Sequence, residues 1–362
     1  MEWLLLALGL AGVAGWLAVR LHRRREQAQA YLKGVRSMIS DDPDAAIEAL
    51  SDAARLGSPE AVETYLALGE LLRRTGDLPR ALRLHRNMLH GPGLEPARRV
   101  EVERELAEDY RRAGMLDEAA EAYRRVAGQG DRAAAEGLRD VLLEQGRLDE
   151  ALEWHRSRCG EDRRLEAHLI AAQARARLPG DPAGALERAR VGVATDPGCA
   201  DALVTLAQAE AAGGDGDAAV ASVARALRSD PVDALLAWPA LEAMPSGAAL
   251  GVVEEALAGR GDDARLQLLR GRLLAGTGRH LEAVGAIRAA MDLDADGEVT
   301  YALREVLREA PAPAPEELPA RHDLMVAALL RTVRPLRCRR CGAGSATRAW
   351  RCPRCGAFAA YP

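Results

Sequence analysis

The chain has 362 residues, 48% hydrophobic and 28% charged, which excludes a mostly disordered chain and a polytopic membrane protein. Aromatic residues make up only 3%, with a single Phe, so a core must come from Ala, Leu and Val, which suits closely stacked helices better than a β-sandwich. The formal net charge of −5 argues against a generic nucleic-acid binder, and 48 of the 49 basic residues are Arg, as a GC-rich coding bias would give.

The first predicted element is a membrane anchor over residues 1–21. Trp3 to Val19 is an unbroken run of 17 apolar or glycine residues. As a helix it spans about 25 Å, near the lower limit for crossing a bilayer. Trp3 and Trp16 sit near its ends, where indoles favour the interface. Arg20, Arg23, Arg24 and Arg25 follow at once. A cleaved signal peptide needs a basic start and a small-residue cleavage site; here the only charge before the run is Glu2, and arginines stand where the cleavage site would be. The arginines place the rest of the chain on the cytoplasmic side of a single-pass protein.

Residues 22–310 read as a helical repeat array. A recurring phrase places Gly or Asp in a short turn, then a small residue and an apolar one: TGDLPRAL, AGMLDEAA, QGRLDEAL, GGDGDAAV, TGRHLEAV. Its shared alanine falls at Ala46, Ala81, Ala119, Ala151, Ala185, Ala219 and Ala283, with gaps of 35, 38, 32, 34, 34 and 64 residues. The long gap holds a degraded copy, PSGAALGV, around Ala249. A period near 34 resembles the tetratricopeptide helix-turn-helix. Leu68, Gly69 and Leu72 before Ala81, and Leu106, Ala107 and Tyr110 before Ala119, supply the first helix; Pro197 and Pro231 stand twelve residues after their alanines. The small residue lets the second helix approach the first, and proline ends the unit. One unit cannot bury its apolar face alone, so units stack into a superhelix that typically presents a groove to a protein or peptide.

No catalytic set with the right spacing lies in the array. His85 and His155 each fall four residues after a repeat alanine, where Tyr123 and Ile287 stand elsewhere, so they read as core-packing side chains. Cys159 and Cys199 are isolated thiols. GGDGD at 213–217 lacks the Lys-Ser/Thr of a phosphate-binding loop and is a repeat turn. The chain is not expected to be an enzyme.

Residues 311–333 form a linker, PAPAPEELP, followed by a helical stretch from Arg321 to Val333. Residues 334–362 carry Cys338-Arg-Arg-Cys341-Gly342 and Cys352-Pro353-Arg354-Cys355-Gly356. Two CxxC knuckles joined by a short hairpin signal a four-thiolate site for one metal ion; zinc and iron both suit it. Disulfides or a redox pair are the alternatives, but the cytoplasmic side is reducing and no βαβ pattern surrounds either motif. The segment is too short for an independent core, so metal binding must contribute much of its folding. Trp350, Phe358 and Tyr361 are expected to form an aromatic cluster behind the site.

The order of anchor, array and ribbon resembles the lipopolysaccharide assembly protein B family of Gram-negative bacteria, and the ribbon, with its CxxCG and CPxCG knuckles, resembles rubredoxin. The most specific parts are the anchor followed by HRRRE, the phrase RALRLHRNML (80–89), and the ending LRCRRCG…AWRCPRCGAF. The resemblance implies an all-α fold: a tetratricopeptide-repeat superhelix with an N-terminal transmembrane helix and a small C-terminal rubredoxin-like zinc ribbon. It implies an inner-membrane adaptor facing the cytoplasm that works with the protease FtsH and promotes degradation of the deacetylase LpxC, limiting lipopolysaccharide synthesis. It carries over four metal ligands, Cys338, Cys341, Cys352 and Cys355. Other inner-membrane envelope proteins are further partners, and a homo-oligomer is compatible with the pattern.

Two other readings compete. One is a general membrane-tethered scaffold for another envelope complex. The other is a nucleic-acid-binding ribbon, because seven arginines lie in 334–362; the anchor and the acidic remainder count against it, and no nucleic acid is expected. The charge divides unevenly. Side chains sum to +7 in residues 334–362 and +3 in residues 1–33, which leaves −15 for residues 34–333. This contrast predicts that the ribbon docks on the array partly through charge.

Overall fold

A computed structural model describes residues 61–90, 94–293 apart from 230 and 261, and 335–358 apart from 346 and 347, with isolated positions elsewhere. The expected anchor, the first repeat with Ala46, and the linker and helix over 311–333 lie, but for isolated positions, outside them. Among the described residues no helix is long and apolar enough to cross a membrane.

The chain divides into two compact units, Met1–Gln145 and Gly146–Pro362. The first unit holds α1 (Ala61–Thr75), α2 (Leu78–His90), α3 (Pro96–Arg112), α4 (Leu116–Ala127) and α5 (Arg132–Glu144), each packed on the one before. The second opens with α6 (Leu148–Trp154), which runs into a π turn at His155–Cys159. It continues with α7 (Arg163–Arg177), α8 (Pro182–Thr195), α9 (Ala200–Ala212), α10 (Gly216–Ser229), α11 (Trp238–Glu242), α12 (Ser246–Arg260), α13 (Ala264–Gly276) and α14 (His280–Leu293). Among its described residues the C-terminal ribbon has two strands, β1 (Leu336–Arg337) and β2 (Gly344–Ser345).

The repeat alanines explain the helix starts. Ala81, Ala119, Ala151, Ala185, Ala219, Ala249 and Ala283 are each the fourth residue of their helix, and each is at most 3% exposed. Each donates its backbone N–H to the residue four before it, for example Ala219 to Asp215 at 3.1 Å and Ala283 to Arg279 at 3.0 Å. These bonds close the first turn of the second helix of every pair. A larger side chain there would push the two helices apart. The turn that precedes is made by glycine: Gly76, Gly114, Gly146, Gly214 and Gly278 all have φ between 74° and 89° and stand two residues before the helix. Only glycine adopts that region without cost.

The degraded copy around Ala249 keeps its second helix, α12, and loses its first. There the chain forms a 3-10 turn over Pro231–Ala237 and then the five-residue α11. Pro239 lies in the first turn of α11 and cannot donate back to a preceding turn, so a continuous helix is blocked. The apolar core of the second unit nevertheless runs unbroken from Ala167 to Ala286.

His85 and His155 are both buried, as their repeat position predicts. The His85 ring fills the space over Gly69, where a Cβ would stand 2.3 Å from its Nε2. Gly271 makes the same room for Ile287 in α14, at 2.6 Å.

Candidate metal centre and its seat on the helical array

The two knuckles fold alike because they repeat one backbone pattern. Gly342 N donates to Cys338 O at 2.9 Å, and Cys338 N donates to Ala343 O at 3.0 Å. In the second knuckle Gly356 N donates to Cys352 O, and Cys352 N to Ala357 O, both at 2.8 Å. Gly342 and Gly356 close them with φ of 68° and 69°. β1 pairs antiparallel with β2, Leu336 opposite Ser345, and Arg351 bridges to Phe358 across the second knuckle.

This brings the ligand atoms of Cys338, Cys341, Cys352 and Cys355 within 4.8 Å of one another. Cys338 and Cys355 Sγ are 3.6 Å apart, and Cys341 and Cys352 Sγ are 3.9 Å apart. All four are free thiols. A disulfide would hold sulfurs at about 2.05 Å. Four sulfurs each about 2.3 Å from a central ion stand about 3.8 Å apart, so the spacing is compatible with a tetrahedral metal site. Burial opposes ionisation and pushes the thiols of Cys341 and Cys355 up. Burial also opposes it at Cys352, but the backbone N–H groups of Cys355 and Arg354 and the Tyr361 side chain outweigh it and hold that thiol down to about 6. A bound cation would offset the cost of burying all four as thiolates.

Of the three aromatic residues expected behind the site, only Tyr361 lies there, buried with the cysteines. Trp350 and Phe358 turn the other way, onto α7. Phe358 stacks on His168, with centroids 5.3 Å apart and an interplanar angle of 25°; Trp350 lies tilted at 6.2 Å. Trp350 also packs against the apolar core of the array, and Arg351 lies over the outer part of Phe358 with its guanidinium carbon 5.9 Å from the ring centroid. The ribbon thus meets the array through the Trp350 and Phe358 rings.

His168 is 3% exposed and fixed from below. Its Nδ1 is 2.8 Å from Asp201 Oδ2 on α9, and Cys199 Sγ is 3.9 Å from the same nitrogen. Arg175 Nη1 binds the other Asp201 oxygen and donates to Thr205 Oγ1 at 2.7 Å. Burial opposes protonation of His168, but Asp201 and Cys199 push its pKa up to about 10, so the ring is a cation near neutral pH. Burial also opposes the charge on Asp201; Arg175 and His168 outweigh it and hold the carboxyl below its ordinary range.

By spacing alone Cys199 reads as an isolated thiol, and His168, Asp201 and Arg175 carry no motif. Their partners lie 26 to 33 residues away on other helices, so no local spacing marks them.

The tetratricopeptide repeat family matches residues 40–85, 104–162, 171–234 and 246–298. The chain is similar to lipopolysaccharide assembly protein B of Escherichia coli strain K12, 28% identical over 138 residues, covering 36% of this chain and 35% of that protein. The protein of the same name from Haemophilus influenzae is 27% identical over 136 residues, covering 34% of each. The match spans about a third of the length of these relatives. Among solved structures, the tetratricopeptide protein YrrB, described as having an unusual peptide-binding site, is 21% identical with a TM-score of 0.39, covering 54% of this chain and all of that one. The C-terminal part of a repeat protein from Cytophaga hutchinsonii is 14% identical with a TM-score of 0.41, covering 63% of this chain and 95% of that one. The chain belongs to the tetratricopeptide repeat family.

Proposed function

We propose that this tetratricopeptide-repeat protein is a membrane-anchored adaptor in lipopolysaccharide assembly, and that it limits lipopolysaccharide synthesis by promoting FtsH-dependent degradation of LpxC. The similarity to two proteins named for lipopolysaccharide assembly carries this reading. The apolar run ending in Arg20, Arg23, Arg24 and Arg25 supports a tether at the inner membrane, with the bulk of the chain in the cytoplasm. The stacked helix pairs support a protein-binding rather than a catalytic role. Tethering beside a membrane protease raises the local concentration of a recruited substrate, so modest affinity for each partner suffices.

Cys338, Cys341, Cys352 and Cys355 would hold one zinc or iron ion. Four thiolates would leave no position for a substrate, so the ion would supply a cross-link between the knuckles and, if it were iron, one-electron exchange. The protein's own residues then do the work: the knuckle backbone aims the thiols, and Trp350 and Phe358 set the ribbon on the array.

Depleting the protein and following LpxC abundance tests the regulatory step. LpxC should accumulate. Unchanged LpxC would remove the regulatory reading and leave a scaffold for another envelope complex.

A further inference from the structure

We propose that the second knuckle is a metal-dependent latch: with an ion on the four cysteines it holds Trp350 and Phe358 against His168, and on loss of the ion it releases them and uncovers this face of α7 and α9. The inference rests on the metal reading given above.

The rings and the ligands belong to one hairpin. Trp350 stands two residues before Cys352, and Phe358 three after Cys355. The Arg351–Phe358 bridge and the 2.8 Å bond from Cys352 N to Ala357 O tie the hairpin's two sides together between them. Arg351 crosses it as well, donating from Nε to Gly356 O at 2.9 Å. A Cβ on Gly356 would stand 2.6 Å from Arg351 Nη2, so the glycine is needed for this crossing as well as for its positive φ. Moving the cysteines therefore moves the rings.

Among the described residues the ribbon's buried cluster is Cys338, Ala343, Cys352, Cys355 and Tyr361, with Leu336, Cys341 and Ala357 packed against it, so three of the five buried members are proposed ligands. Without an ion the cluster becomes a group of packed thiols with a small apolar residue and one aromatic ring, too little to keep a segment of this length folded.

The seat is built differently. His168 is held by Asp201, which is held in turn by Arg175, and Thr205 donates to the Asp201 carbonyl at 2.8 Å. All four belong to α7 and α9, and none of these bonds involves the ribbon. Loss of the rings uncovers His168, and with that cover gone a local opening of the seat around the ring exposes Cys199, whose Sγ is 3.9 Å from its Nδ1 and which is now 1% exposed.

The test is alkylation of the full chain in detergent with N-ethylmaleimide, read at each cysteine by peptide mass spectrometry. Metal content is measured in parallel, before and after treatment with a chelator. Chelation is expected to speed modification of Cys199 by at least about tenfold, as local opening would, while Cys159, buried in the π turn, stays slow. Phe358→Ala or Trp350→Ala, where the ion is retained, is expected to speed Cys199 without chelation. A Cys199 rate that ignores both chelation and ring removal, with the ion shown to be present and then lost, overturns the latch and leaves the metal reading intact. A chain that carries no ion as purified overturns both. Equal acceleration at Cys159 and Cys199 overturns the latch in favour of unfolding of the whole array. If the ring variants lose the ion themselves, the chelation comparison in the native sequence decides alone.

Discussion

In the first unit Arg73 and His85 both bind Asp109; in the second, Arg175 and His168 both bind Asp201. The carboxylates are fully buried in both, and His85 Nδ1 is 2.5 Å from Asp109 while His168 Nδ1 is 2.8 Å from Asp201. What differs is the cover. The His85 ring lies against the backbone of Gly69 on α1, inside a helix pair. The His168 ring lies under Phe358 and Trp350, which arrive from the ribbon almost two hundred residues later in the chain. Buried ion groups of this kind contribute little net stability, because desolvation offsets most of the attraction. Their use is to fix a ring in one place. In the first unit that ring is core; in the second it is a seat.

The largest expected effect comes from removing the carboxylates. Asp109→Ala leaves buried Arg73 with Glu105 as its remaining partner and His85 without its carboxylate, and should cost about 3 kcal/mol in denaturant unfolding. Asp201→Ala should cost less, because the Arg175 side chain is 29% exposed and can reach water. Equal costs would break the distinction between a sealed and an accessible trio.

Next in size is Gly69→Ala, whose Cβ would meet the His85 ring and should cost about 1–3 kcal/mol by overpacking. Metal content should not change, since the ribbon belongs to the other unit. Phe358→Ala is expected to be milder, about 1 kcal/mol for the lost ring contact, with the cost confined to the second unit. A Phe358→Ala effect larger than that of Gly69→Ala would show the seat to be structural core after all.

The gentlest probe is pH. The folded pKa of His168 is raised to about 10 from an ordinary value near 6.5. Its stabilising contribution is therefore complete below about 6.5 and is lost as pH rises through about 10. Asp201, whose pKa is lowered, contributes above the ordinary carboxylate range and loses that contribution as pH falls through its depressed value. The thermal midpoint should fall between pH 7 and 10, and His168→Gln should flatten this slope. An unchanged slope in that variant would assign the alkaline loss to other groups.

Much of the helical framework was legible in the sequence because its rules are local. The alanine at the fourth helical position and the glycine two residues before the helix both act within one turn, so spacing alone reveals them. The knuckles are legible for the same reason. The seat was not, because His168, Asp201 and Phe358 meet only through tertiary packing. Trp350 and Phe358 read from the sequence as packing behind the cysteines, whereas the structure turns them onto α7: in so short a ribbon an aromatic ring can face its own cysteine cluster or its neighbour, and period does not tell which. The weak repeat near Ala249 was visible as a gap, yet only the backbone shows that its first helix, with Pro239 in the way, is the half that failed.

Elemental analysis of the purified full chain, beside Cys352→Ser, tests most directly the claim that the four thiols form one metal centre. One zinc or iron per chain is expected in the native sequence, with most of it lost in the variant. No bound metal, or a full complement retained in Cys352→Ser, would contradict it.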